Sequence, residues 1–315
     1  MRYRIYSFGS LTLAVAMLFS CSSCSKNLQA SMWHNKDYPD GSYDFYMSTY
    51  MGSDSIPFGG SRIFDSTLGY RATDGDSLYT EMWTPAGHSF DTSAFLVMFP
   101  GYGEHTYALY PLGIAATRAG IRVVFMSARG LDLNANVKRN FYLSEVQDAK
   151  DALAEYAKES GLTRLKIGTY GYSLGSVFAL DLASEDPQVR GAVLESIMMN
   201  PLALASHVVK PVDYGTLMAL LKSHPEIRRM SPDSILLNWK KPKPLLLIRG
   251  TKDNVIPKSD WDSLAAIAVS HDRNASIRVI DGAPHVMRYG FPLSRKDAIG
   301  LNDSIVAFLK LAIER

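Results

Sequence analysis

Leu165-Lys166-Ile167-Gly168-Thr169-Tyr170 runs directly into Gly171-Tyr172-Ser173-Leu174-Gly175, and an apolar stretch follows to residue 183. The first six residues have the composition of a buried strand, and the stretch from Leu174 onward that of a helix. Between them stands the pattern G-x-S-x-G. With glycine near 7% of residues, that pattern arises by chance in roughly one chain in ten of this length. The pentapeptide alone is therefore only suggestive, and its strand–turn–helix setting gives it weight. A tight turn of this kind strains the serine backbone and pushes the hydroxyl out at the carboxyl edge of a sheet. The two glycines leave room for the turn and for close packing of helix on strand. The helix N-terminus aims backbone N–H groups at the same point. Ser173 is thus the candidate nucleophile.

Working outward, apolar runs and turn signals alternate in the α/β manner. Residues 68–72 and 77–83 read as two strands joined at Asp74-Gly75-Asp76, and residues 94–99 as a buried strand ended by Pro100-Gly101. Residues 107–119 read as a helix capped by Gly120, residues 121–126 as a strand, and residues 143–160 as an amphipathic helix with Val146, Ala149, Leu153 and Tyr156 on one face. Residues 191–194, 245–248 and 276–280 are three further strands. Residues 286–299 read as loop with a short helix, and 303–313 as a closing helix. The pattern predicts a mostly parallel central sheet with helices on both faces. Residues 197–243 interrupt it. Their methionines and leucines among polar residues predict a small helical cap inserted between two strands, and those side chains either line an adaptable pocket or pack the cap on the body.

A serine hydroxyl needs a base, and the base needs a third group to orient it. The order serine, acid, histidine accompanies a G-x-S-x-G elbow. Asp253 follows the strand at 245–248, and His285 follows the strand at 276–280 in Gly282-Ala283-Pro284-His285. Either residue alone is an unremarkable loop residue. In this order, each after a strand, they form the candidate triad Ser173, Asp253, His285. Two N–H donors are also needed for the oxyanion. Leu174, next after the nucleophile, supplies one. Tyr102, between the glycines of Phe99-Pro100-Gly101-Tyr102-Gly103-Glu104-His105, supplies the other.

From residue 70 to 313 the chain resembles the α/β-hydrolase group of monoglyceride lipases, lysophospholipases and serine aminopeptidases. That group's H-G-x-G-E pattern stands here as Pro100-Gly101-Tyr102-Gly103-Glu104, with proline in place of histidine. Asp74-Gly75-Asp76-Ser77-Leu78 through Trp83-Thr84-Pro85 resembles its opening hairpin, whereas Ser127-Ala128-Arg129-Gly130 departs from its Asp-x-x-Gly-x-Gly turn. The resemblance implies the α/β-hydrolase fold, the same triad and the same oxyanion donors. Some α/β-hydrolases place the acid after the preceding strand, which makes Glu195 the alternate. Arg129 is expected to be an exposed loop cation, with binding of an acidic substrate group as the other reading, and His105 a solvated loop histidine. The other histidines show no ligand spacing, so neither metal nor cofactor is expected.

Of the 315 residues, 47% are hydrophobic and 20% charged, with a formal net charge of +2. This is ample for one α/β domain with an insertion, spanning 65–315. Without Arg2 and Arg4, basic and acidic residues balance, and no basic tract points to nucleic acid. Those arginines begin residues 1–20, a short positive start followed by an apolar run too short to span a bilayer. Leu18-Phe19-Ser20-Cys21 resembles a bacterial lipobox, in which Cys21 becomes the acylated first residue. Cys21 and Cys24 are the chain's two cysteines. The expectation is an exported lipoprotein, periplasmic or at the cell surface and held to a membrane by its lipid, with residues 21–64 as tether and irregular lead-in. The expected activity is hydrolysis of small-molecule or lipid-like carboxylic esters through an acyl-enzyme. A peptidase or thioesterase would use the same residues, and a catalytically silent binding lipoprotein is the rival of another class.

Overall fold

The computed structural model describes residues 63–85, 90–138, 144–199, 231–270, 274–285 and 295–315. Cys21, the tether, most of the expected cap (residues 200–230) and residues 286–294 lie outside the described residues.

Eight strands form one sheet: β1 (Ile63–Arg71), β2 (Ser77–Pro85), β3 (Ala94–Phe99), β4 (Arg122–Phe125), β5 (Lys166–Tyr172), β6 (Val189–Glu195), β7 (Leu245–Gly250) and β8 (Ala275–Ile280). Their spatial order is β1-β2-β4-β3-β5-β6-β7-β8. β1 and β2 are an antiparallel hairpin, and β2 runs antiparallel to β4. From β4 to β8 every pairing is parallel. This is the mostly parallel α/β-hydrolase sheet that the sequence predicts.

Burial explains why these segments are strands. All six side chains of β3 are buried, because a parallel strand covered on both faces has no polar side. Phe95, Val97 and Phe99 enter one core, while Leu96 and Met98 enter the other. The first core is closed by α2 (Glu145–Glu159), α3 (Leu174–Glu185), α4 (Pro232–Asn238) and α5 (Lys258–Ser270), and the second by α1 (Tyr110–Arg118) and α6 (Arg295–Glu314).

Three helices differ from expectation. The stretch at 107–119 divides into a 3-10 turn, Thr106–Leu109, and α1, because Pro111 has no N–H to continue an α-helical ladder backward. α5 was not among the elements read from the sequence, although Trp261, Leu264, Ala265 and Ala268 bury one face at helical spacing. α6 starts eight residues earlier than its apolar end suggests. Ala298 and Leu301 already face the core, and Gly300, a poor helix former, masks the pattern. Within the segment expected as a cap, α4 packs on the body, with Ile235, Leu236 and Trp239 in the first core.

The register sets where chemistry can occur. Phe99 pairs with Gly171, Tyr172 with Glu195, Glu195 with Ile248, and Gly250 with Ile280. The carboxyl ends of β3, β5, β6, β7 and β8 therefore lie along one edge. β1 starts at the opposite edge, since Ile63 pairs with Pro85 at the far end of β2.

Candidate active site

Ser173 stands between β5 and α3 with φ 52° and ψ −126°. Positive φ is costly for a residue with a Cβ, and surrounding contacts must hold it. Its N–H donates to the Glu195 carbonyl at 2.9 Å. A Cβ on Gly171 would come within 2.1 Å of the Gly175 carbonyl oxygen, and one on Gly175 within 2.3 Å of the Phe99 and Pro100 oxygens. Both positions of the elbow thus require glycine, and the elbow is pressed against the end of β3. A Cβ on Gly101 would come within 2.7 Å of the Tyr172 ring.

From the other side come the two loops that follow β7 and β8. They touch along their backbones. A Cβ on Gly250 would meet the Ala283 oxygen at 2.1 Å. The N–H of Thr251 donates to Ile280 O at 3.0 Å, and that of Lys252 to Ala283 O at 2.9 Å. The Thr251 hydroxyl accepts from the Gly282 N–H at 2.7 Å and bonds the Asp281 carboxylate at 3.0 Å. This stitching brings Asp253 and His285 together across 32 residues of chain.

The outcome is a continuous chain of hydrogen bonds. His285 Nε2 is 3.0 Å from Ser173 Oγ, and Nδ1 is 2.9 Å from Asp253 Oδ2. The Asp253 side chain is 0% exposed and that of His285 11%. The other Asp253 oxygen accepts from the Val255 and Ile256 N–H groups at 3.0 and 2.9 Å. Burial raises the Asp253 pKa, but the His285 bond and charge and the two N–H donors outweigh it and hold the carboxyl below its ordinary value. An ionised Asp253 can only accept, so the proton sits on His285 Nδ1. That leaves Nε2 to accept from the serine hydroxyl.

The remaining sequence candidates fall around this chain. Leu174 is the first residue of α3. Tyr102 is 45% exposed. It occupies the second position of a turn closed by the Glu104 N–H on Gly101 O at 3.3 Å, with Gly103 at φ 70°. Glu195 is fully buried, and its carboxylate accepts from the Tyr170 hydroxyl at 2.9 Å. The structure thus pairs His285 with Asp253, and Glu195 with Tyr170.

Arg129 departs from expectation, and His105, a loop histidine with its side chain 45% exposed as expected, has a partner the sequence did not show. Arg129 is buried, not exposed. Its guanidinium grips Asp148 with two bonds, at 2.9 and 2.7 Å, and bonds Asp74 and Asp76 at the β1–β2 turn. A solvated substrate group has no claim on it. His105 is tied by Nδ1 to Asp132 at 2.6 Å and stacks on Tyr107. Asp132 itself has φ 44°, and its second oxygen accepts from the Thr106 N–H at 3.0 Å. Ser196 was passed over in the sequence. It is fully buried, and its hydroxyl donates to the His285 carbonyl at 2.7 Å.

Comparison with curated protein sequences gives no match. Many solved structures share the fold. An esterase domain from Rhodothermus marinus is 15% identical with a TM-score of 0.53, over 79% of this chain and 100% of that one. A Pyrococcus furiosus esterase is 18% identical with a TM-score of 0.58, over 80% and 92%. A puromycin-hydrolyzing peptidase of Mycobacterium tuberculosis is 16% identical with a TM-score of 0.65, over 82% of this chain and 42% of its own. Likeness at these identities speaks for the fold. The model of the prolyl oligopeptidase family matches residues 115–313, well over half the chain and the part that bears Ser173, Asp253 and His285. The chain is a serine hydrolase on the α/β-hydrolase fold and belongs to the prolyl oligopeptidase family.

Proposed function

We propose that this hydrolase cleaves carboxylic esters through an acyl-enzyme on Ser173. The observation that carries the reading is the hydrogen-bond chain from Ser173 through His285 to Asp253. Ser173 Oγ attacks the carbonyl carbon as its proton passes to His285 Nε2, and Asp253 steadies the resulting imidazolium. The carbonyl oxygen takes up negative charge and is held by the Tyr102 and Leu174 N–H groups, the latter at the positive end of α3. His285 then returns the proton to the leaving alkoxide, and the C–O bond breaks. Water attacks the acyl-enzyme with His285 again as base, releasing acid and free Ser173.

The preference for esters rests on extent of match. This chain covers 100% and 92% of the two esterases, but 42% of the peptidase chain. The Gly101-Tyr102-Gly103-Glu104 loop, like that of monoglyceride lipases, supports small or lipid-like esters. A peptidase is the second reading, favoured by the family match. The experiment is a direct competition. A p-nitrophenyl ester series and a series of aminoacyl and peptidyl p-nitroanilides are compared by kcat/KM. Esters leading at every acyl length supports the proposal. Faster turnover of any anilide than of its matched ester would give the site to a peptidase. No reaction with either, and no labelling by a fluorophosphonate, would leave the silent binder.

Acylation of Cys21 is proposed with it, on the strength of residues 1–20 and the lipobox-like Leu18-Phe19-Ser20-Cys21. More than one acyl chain makes such an anchor stable. Expression of wild type and Cys21→Ala in a bacterium with labelled fatty acid tests this, and a soluble, unlabelled wild type refutes it.

A further inference from the structure

We infer that Ser196 is a positioning residue for the catalytic base, acting through the His285 main chain; the inference rests on the proposed role of His285. Glu195 and Ser196 leave β6 between the strand that carries Ser173 and the strand that leads to Asp253. This dipeptide is bonded at once to the nucleophile turn after β5, to β7 and to the loop that carries His285. The Glu195 carbonyl accepts from the Ser173 N–H at 2.9 Å. The Ser196 N–H donates to the Ile248 carbonyl at 2.8 Å. The Ser196 hydroxyl donates to the His285 carbonyl at 2.7 Å.

Conformation argues that the hydroxyl is what this position retains. Ser196 has φ 50° and is fully buried. Glycine would take that conformation without strain, and alanine would fill nearly the same space without a polar atom to satisfy. Serine gives up both advantages and gains one bond, to the base. His285 needs such a bond. Bonds to the β7 loop stitch its loop as far as Ala283, two residues short of His285, and the Ser196 bond carries that support on to the His285 carbonyl, where the ring must meet both Ser173 and Asp253. The side-chain bonds orient the ring, and the Ser196 bond fixes the origin from which the ring projects.

The distinguishing variants are Ser196→Gly and Ser196→Ala. Glycine removes the hydroxyl while relieving the positive φ, so a lower rate in that variant is not a failure to fold. Full-length enzyme is assayed for kcat, KM and the rate of fluorophosphonate labelling at Ser173, each per folded molecule by circular dichroism. Misplacement of a reacting group by about 1 Å costs on the order of 100-fold. The expected result is a fall of about 10- to 100-fold in kcat and in labelling rate for both variants, with KM unchanged. Wild-type rates in either folded variant, with wild type labelled normally, would overturn the inference and leave the proposed function standing. A wild type that resists labelling would overturn both. A loss of thermal stability without a loss of kcat would assign Ser196 to the fold and refute its positioning role.

Discussion

Two polar networks, each built on a buried ionised group, share the carboxyl edge of the sheet, and they end differently. At the β1–β2–β4 side, Arg129 is enclosed by Asp148, Asp74 and Asp76. The guanidinium meets a carboxylate on each side, the Ser144 hydroxyl and the Asp76 N–H donate to those same carboxylates, and the network closes on itself. At the β5–β8 side, the chain runs from the Val255 and Ile256 N–H groups through Asp253 and His285 to Ser173 Oγ. It terminates in a hydroxyl on a strained turn. Both bury an ionised carboxylate beside its partner, Asp148 in one and Asp253 in the other, so a buried charge alone does not separate them. A closed network compensates the desolvation of its own members and serves the fold. An open one leaves its last member to react with something else.

The sharpest way to break that comparison is at its open end. Ser173→Ala is expected to reduce kcat by about 10⁴-fold or more, since the residues act as a unit and only modest catalysis over water survives without them. Thermal stability should be unchanged or higher, because the variant loses no closed network. Turnover of a p-nitrophenyl ester near the wild-type rate by folded Ser173→Ala would remove the proposed nucleophile.

The next prediction separates the two acids. Asp253→Asn should lower kcat by roughly 10⁴-fold by favouring the wrong His285 tautomer. Glu195→Gln, whose carboxylate meets the Tyr170 hydroxyl and not His285, should lower it by less than about tenfold. The two variants are compared on one ester at saturating concentration, and a reversed ranking would move the acid to Glu195.

How much of this was legible in the sequence follows from what each feature depends on. Strands β3, β5 and β7 are runs of apolar residues, so sequence alone marks them. The positions of Ser173 and Asp253 follow from counting along β5 and β7, and that of His285 from the strand and turn that end in Gly282-Ala283-Pro284. The α5 helix was legible in Trp261, Leu264, Ala265 and Ala268 but was not read. The partners of Arg129 were not legible in the same way. Asp74 and Asp148 lie on opposite sides of it in sequence, and only the antiparallel β1–β2 hairpin brings the turn at 74–76 to the loop after β4. His105 and Asp132 meet for a similar reason, from two loops 27 residues apart. Ser196 carries no signal in its residue type. The carboxylate beside it drew the functional reading, while the structure pairs that carboxylate with a tyrosine.

A third prediction turns to the closed network. Arg129→Met leaves three carboxylates without their cation, and Asp148 is buried with it. Removing one partner of a buried pair costs about 3–5 kcal/mol. Unfolding in urea should therefore show a loss of that order, while kcat per folded molecule stays at the wild-type value. A fall in kcat exceeding the loss of folded protein would tie the two networks together.

The smallest effect expected is a pH dependence that belongs to the closed network alone. Glu145 opens α2 beside Asp148 and is 5% exposed. Burial first, and then the Asp148 charge, push its carboxyl up to about 8, against a smaller pull downward from Arg129. Tyr70, itself raised by burial and by these same carboxylates, also faces the group. In the unfolded chain Glu145 ionises near the ordinary glutamate value. Between that value and about pH 8 the folded protein holds a proton that the unfolded chain has released. Folding stability therefore falls as pH rises through this window, and the loss is complete above it. Glu145→Gln cannot ionise, so it should gain on the wild type from pH 5 to pH 9, by on the order of 1–3 kcal/mol. Asp253 has the opposite sign. Its lowered pKa gives stability that is lost only as pH falls below the ordinary carboxylate range, outside this window. Urea unfolding of both proteins at pH 5, 7 and 9 reads the difference directly. A constant gap across the three pH values would mean that Glu145 is ionised in the folded state throughout. The network around Arg129 would then carry one more negative charge than its closed form holds.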